Sequence, residues 1–143
     1  MNGRFEEIEH TADIAIRVCG RDLAELFANG AYGMACQLTD PGEVNQAHFD
    51  EPSRAVELSI ELEAYDAETL LVAWLEELLY LGEREGCVFT DFDVLEVTPA
   101  RLRAIVRGGP VREYWRHIKA VTFSDLEIVH TGAGYETTVV FDV

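Results

Sequence analysis

Between residues 54 and 86 the spacing of apolar side chains changes once. That change limits the chain to folds that lay a helix on a sheet. In "RAVELSIEL" Val56, Leu58, Ile60 and Leu62 alternate with Glu57, Ser59 and Glu61, the period of a strand with one face on a core and the other in water. In "YDAETLLVAWLEELLYLGEREG" the side chains of Leu70, Leu71, Trp74, Leu75 and Leu78 make one wide apolar stripe at helical spacing. Asp66 stands where it can cap that helix, and Gly82 or Gly86 where it can end it.

The flanking segments extend the pattern. Residues 4–8 and 13–18 read as two short strands. A helix follows in "RDLAELFANGAYGMACQL", with Leu23, Leu26, Phe27, Ala31, Met34, Ala35 and Leu38 on one face and Asp22 and Glu25 as a capping box. Gly30 and Gly33 weaken it by about 1 kcal/mol each relative to alanine, which predicts close packing there. "TDPGEVNQAHFDEPS", residues 39–53, is polar, holds Pro41 and Pro52, and predicts a long surface connection. Residues 87–97 alternate loosely. "RLRAIVR" sets Leu102, Ala104 and Val106 on one face and Arg101, Arg103 and Arg107 on the other, and "GGP" at 108–110 reads as a turn. "HIKAVTF", "DLEIVH" and "YETTVVFDV" close the sheet, the last two as a hairpin around "TGAG". The expected fold class is α+β: residues 1–143 as a single domain, a mostly antiparallel sheet packed with two main helices, and a polar connection at about 39–53.

Composition narrows what such a domain does. At 143 residues and 48% apolar the chain can bury a real core. It has no run of about 18 apolar residues, and "MNGRFEEIEH" lacks the apolar segment of a signal peptide; a cytoplasmic protein with no membrane partner is expected. Cys19, Cys36 and Cys87 are far apart and form no CxxC pair, so they read as core residues and not as a disulfide or zinc framework. A formal charge of −16 opposes tight, unaided binding to a phosphate backbone. Yet residues 101–119 hold six basic residues against Glu113 alone, +5, which leaves −21 on the rest. The stripe of Arg101, Arg103 and Arg107 reads either as a solvated strand or as a docking patch for an acidic partner surface. Lys119 is the only lysine in the chain.

No GxSxG elbow, phosphate-binding GxxxxGK[ST] loop, GxGxxG or HExxH is present. Two acids are oddly placed: Asp13, at the threshold of a strand in "EHTADIAI", and Asp142, in the terminal "VVFDV". Each taken alone is an ordinary solvated carboxylate.

Four segments, "EHTADIAI", "LLVAWLEELLYL", "KAVTF" and "VVFDV", occur in this order at suitable spacing. Together they resemble the archease family, small proteins that activate the GTP-dependent RNA ligase of tRNA splicing, over about residues 5–143. Many members carry Asp and Asn where this chain has Ala73 and Glu76, and a Tyr-His pair is common where Ser124 follows Phe123. The resemblance implies a divalent cation, Ca²⁺ first and Mg²⁺ or Mn²⁺ as alternatives. Its ligands would be Asp13, Asp142 and the main-chain oxygen of Val143, with His10 orienting Asp13 by a hydrogen bond. Lys119 maps to a position the family needs for activity. Hard oxygen ligands suit such an ion, and two carboxylates that close are costly unless a cation lies between them. Three protein oxygens leave coordination places for water or a partner.

The implied function is that of an accessory protein, not an enzyme. It would promote guanylylation and multiple turnover of the ligase, meeting RNA and GTP only through that partner. Two alternatives are a stand-alone metal-dependent hydrolase using the same acids, and a chaperone-like protein-binding module in which they are incidental.

Overall fold

A computed structural model describes residues 4–8, 13–124 and 126–143, with side chains for all of these except 47–49. Among the described residues the chain forms eight strands and three α-helices, with one short 3-10 turn. In chain order they are β1 (Phe5–Ile8), β2 (Ile14–Gly20), α1 (Leu23–Leu38), α2 (Pro41–Asp50), the 3-10 turn (Pro52–Arg54), β3 (Val56–Glu63) and α3 (Ala67–Glu85). Then follow β4 (Cys87–Thr98), β5 (Arg101–Pro110), β6 (Ala120–Thr122), β7 (Val129–Thr131) and β8 (Gly134–Asp142).

Both helix starts expected from the sequence form. Asp22 Oδ1 accepts from Glu25 N at 2.8 Å, and Asp66 Oδ1 accepts from Thr69 N at 2.7 Å. Gly86 ends α3 at φ 66°, a left-handed conformation that a side chain would strain. At Gly33 an added Cβ would lie 2.7 Å from Ile16 Cδ1, so close packing accounts for this glycine. Gly30 has no neighbour nearer than 3.8 Å, and packing does not account for it.

Every strand pair is antiparallel, as expected, but the strands divide into two sheets and not one. One sheet runs β1-β2-β8-β6, with β7 also paired to β8; the other runs β3-β5-β4. The "GGP" segment is not a turn. It continues β5, pairing with Cys87–Phe89 of β4, because a Cβ at Gly108 would collide with the Val88 carbonyl and only glycine permits that approach. The loose alternation of 87–97 has a physical cause: the β4–β5 register shifts between Phe89 and Asp91 and again between Val94 and Glu96. Each bulge resets which residues face in.

The segment 39–53 is the second correction. It is polar, but it is mostly α2 followed by the 3-10 turn. Asp40 Oδ1 accepts from Gly42 N at 2.9 Å, and the fixed φ of Pro41 suits a first helical turn. The helix buries little, chiefly Pro41 and Val44, and Thr90 Oγ1 donates to Asn45 Oδ1 at 2.7 Å. A stripe that narrow leaves no readable period.

The two long helices join the sheets. α1 packs on β2 and β4; α3 packs on β3, β4 and β6. The shared core holds Ile16 and Val18, Leu26 and Phe27, Leu70, Leu71 and Leu75, Leu102 and Val106, and Val139 and Phe141. Trp74 lies fully buried among them, its indole N–H donating to the Phe27 carbonyl at 2.9 Å.

Candidate functional site at the end of the five-stranded sheet

Strand β8 is the axis of the site, with β2 on one side and β6 on the other. Ile14 is the register partner of Phe141, so continuing the ladder by one residue sets Asp13 across from Asp142. On the other side Ala120 pairs with Asp142, and Lys119 N donates to the Asp142 carbonyl at 2.7 Å. Asp13 and Lys119 therefore stand just before β2 and β6, on either side of Asp142 at the end of β8, with neighbouring strands about 4.8 Å apart; the Lys119 side chain lines the helix-covered side of the sheet. Val143 follows directly and is exposed. Asp13 is half-buried; Asp142 and Lys119 are exposed. His10 and Thr11 lie outside the described residues.

The core-facing side chains explain this arrangement. Phe141 is fully buried and Val121, its partner on β6, nearly so. Burying the two clamps the end of β8 between its neighbours and carries Asp142 to the surface on the next residue. Among the described residues neither Asp13 nor Asp142 is ion-paired with Arg or Lys. Among the same residues no three His, Cys, Asp or Glu side chains converge. Among the described residues the donor set is thus two carboxylates and main-chain oxygens. It fits a hard divalent cation that completes its shell from water or from another molecule, and it does not fit zinc.

Two acids on α3 hold the backbone of the segments that follow Lys119, a role the sequence does not display. Glu76 Oε1 accepts from Val121 N at 2.7 Å, and Glu68 Oε2 accepts from Ile128 N at 3.1 Å. Eight residues apart on α3, they satisfy backbone donors of two successive segments, Glu76 in β6 and Glu68 just before β7. The Glu76 carboxylate holds the strand that follows Lys119.

The basic stripe lies elsewhere, on the open face of the three-stranded sheet. It is not a free cationic patch. In register, Arg107 lies between Glu57 and Asp91, and Arg103 between Glu61 and Glu96. Arg107 meets Glu57 at 2.8 Å and Asp91 at 3.2 Å, while Arg103 and Arg101 approach Glu96 at 3.5 and 3.8 Å. Acids of β3 and β4 thus balance the positive charge that an acidic partner would need to find on Arg101, Arg103 and Arg107.

Comparison with known proteins bears on the same elements. The profile described as the Archease protein family (MTH1598/TM1083) matches residues 5–143, from β1 to the residue after β8. The chain belongs to the archease family. It is 36% identical over 148 residues to the protein archease of Methanosarcina acetivorans, covering 98% of this chain and 96% of that one. With the protein archease of Saccharolobus islandicus the identity is 37% over 144 residues, covering 97% and 98%. The solution structure of Methanobacterium thermoautotrophicum protein 1598 superposes with a TM-score of 0.74 at 28% identity, covering 98% of this chain and 99% of that one. A crystal structure from Thermotoga maritima, described as an archease and possible chaperone, has the same fold, with a TM-score of 0.64 at 21% identity over 95% of this chain and 94% of that one. The α+β archease fold expected from the sequence is the fold observed. No helix among the described residues is long and apolar enough to cross a membrane.

Proposed function

We propose that this archease-family protein is an accessory factor for the GTP-dependent RNA ligase of tRNA splicing, in the cytoplasm, and that Asp13, Asp142 and the Val143 main chain present a divalent cation to that partner. The observation that supports the reading is the convergence of β2, β6 and β8, which brings together two carboxylates with no Arg or Lys ion pair among the described residues, next to the backbone of Lys119, the chain's only lysine. Ca²⁺ suits the donor set best, with Mg²⁺ or Mn²⁺ as alternatives. When bound, the ion would supply positive charge against a triphosphate. The chain's own residues hold the platform. The Phe141–Val121 clamp fixes the end of β8, Glu76 fixes β6, and the Lys119 amide locks the Asp142 carbonyl. This leaves the Lys119 ammonium exposed to meet a phosphate or an acidic group of the ligase.

The reading is tested by adding catalytic amounts of the protein to the RNA ligase with GTP and metal. Multiple-turnover ligation should rise, and Asp13→Asn, Asp142→Asn and Lys119→Ala should each lose most of that rise while remaining folded. Full stimulation by all three folded variants, or none by the wild type, rejects it.

A further inference from the structure

A cavity of about 590 Å³ opens between α1, α3, the start of β4 and the segment 114–119. Its floor includes Ala31, Met34 and Ala35 of α1, Leu78 of α3, and Cys87 and Phe89 of β4, none more than 4% exposed. Sites that enclose a small organic molecule measure roughly 300–1,000 Å³ and are mostly apolar with a few polar groups at defined points. The floor is shielded from water, and burial pushes the Cys87 thiol up to about 11, whereas Tyr114 at the mouth is 39% exposed.

One wall is flat. Tyr114 and His117 stack with ring centroids 5.7 Å apart and planes 22° from parallel. The segment carrying them has little regular structure, but it is pinned to the end of α1. Thr39 Oγ1 donates to the Glu113 carbonyl at 2.7 Å, Trp115 N to the Leu38 carbonyl at 2.8 Å, and Arg116 Nη1 to Gln37 Oε1 at 3.0 Å. The wall is thus held by the chain's own bonds and needs no guest to stand.

The rim is charged. Lys119 and Glu83 both line it. Glu76 bonds Val121 N, two residues from Lys119, and Glu83 lies two helical turns further along α3, about 10 Å away. Lys119 and Glu83 are thus carried on different elements of the rim, the segment before β6 and the last turns of α3.

We infer that this cavity is a binding site for one small organic molecule with a flat apolar body and a single anionic group. The body lies between the α1 floor and the Tyr114–His117 wall, with the anion at Lys119. The inference does not depend on the ligase or on a cation, although Lys119 belongs to both sites. It is tested on the purified full-length chain with two fluorescent probes: anilinonaphthalene sulfonate, and phenylnaphthylamine, which has the same rings without the sulfonate. Both should saturate at one per chain and shift the amide resonances of residues 31–38, 78–88 and 114–119. Lys119→Met should weaken the sulfonate several-fold and leave the neutral probe unchanged. Ala35→Phe, which fills the floor, should remove both. The wild-type amide map decides the location even if that variant does not fold. Binding that does not saturate, shifts elsewhere on the chain, or equal loss of both probes in Lys119→Met overturns the inference.

Discussion

The open face of the three-stranded sheet and the end of the five-stranded sheet both gather charge, with opposite outcomes. On the first, each arginine of β5 has acids of β3 or β4 beside it, and the closest triad, Glu57–Arg107–Asp91, is ion-paired at 2.8 and 3.2 Å. On the second, Asp13 and Asp142 are brought to adjacent rungs with no cationic partner among the described residues. In the sequence the arginine stripe is the more conspicuous feature and the two acids are 129 positions apart. Folding separates the two cases: the arginines come to lie among neighbouring acids, while the two distant carboxylates are brought to adjacent strand ends.

The largest expected effect is one that both regions share. Trp74→Ala removes the side chain at the centre of the common core and should cost about 3–5 kcal/mol; urea denaturation checks it. A cost below about 1 kcal/mol would mean that α3 does not tie the two sheets together. The next effect separates the regions. Glu76→Leu leaves the Val121 amide without its acceptor, a loss of about 1–3 kcal/mol. It should impair stimulation of the ligase, whereas Glu76→Gln, which keeps a carbonyl oxygen, should restore most of both. Equal damage from Gln and Leu would show that charge matters there, not strand holding.

Smaller still is Arg107→Ala. Exposed pairs contribute little and are screened by salt, so its melting temperature should nearly equal that of the wild type, and any difference should vanish at about 1 M salt, where the Debye length is about 3 Å. A large, salt-resistant loss would contradict the charge-balance account of that face. The smallest effect concerns a helix end. Hydrogen bonds from Thr69, its side chain and then its amide, hold the Asp66 carboxyl below the ordinary aspartate value of 3.8. A depressed folded-state value means that the contribution is present above 3.8 and is lost as the pH falls through the folded-state value. The difference in melting temperature between wild type and Asp66→Ala should therefore shrink on acidification below that point. A difference that grows would reverse the sign.

Much of the fold was legible because some segments carry an unbroken period. β3 and α3 are read from alternation and from a wide stripe. The caps at Asp22 and Asp66 are local chemistry that a single sequence displays. α2 was not legible, since one buried valine and one buried proline make no stripe and its tie to β4 is a side-chain hydrogen bond. Nor was the division into two sheets, because strand pairing is a long-range choice that alternation does not record. "GGP" misled for a related reason: glycines that permit close strand approach look like glycines that permit a turn. Within the candidate site, Asp13, Asp142 and Lys119 came from the family resemblance, and β2–β8 and β6–β8 pairing supplies the physical reason for their proximity. Glu76 stood out only as a departure from the family pattern, and its role was not legible, because an acid on a helix flank is ordinary until a strand's amide is found against it.

The claim that unbalanced acids make the site is tested most directly by titrating Ca²⁺ into the purified protein in a calorimeter. The account predicts one ion per chain for the wild type, affinity at least tenfold weaker, about 1.4 kcal/mol, in Asp13→Asn and in Asp142→Asn, and no change in Arg103→Gln. Undiminished affinity in both folded aspartate variants, or no binding by the wild type, would contradict it.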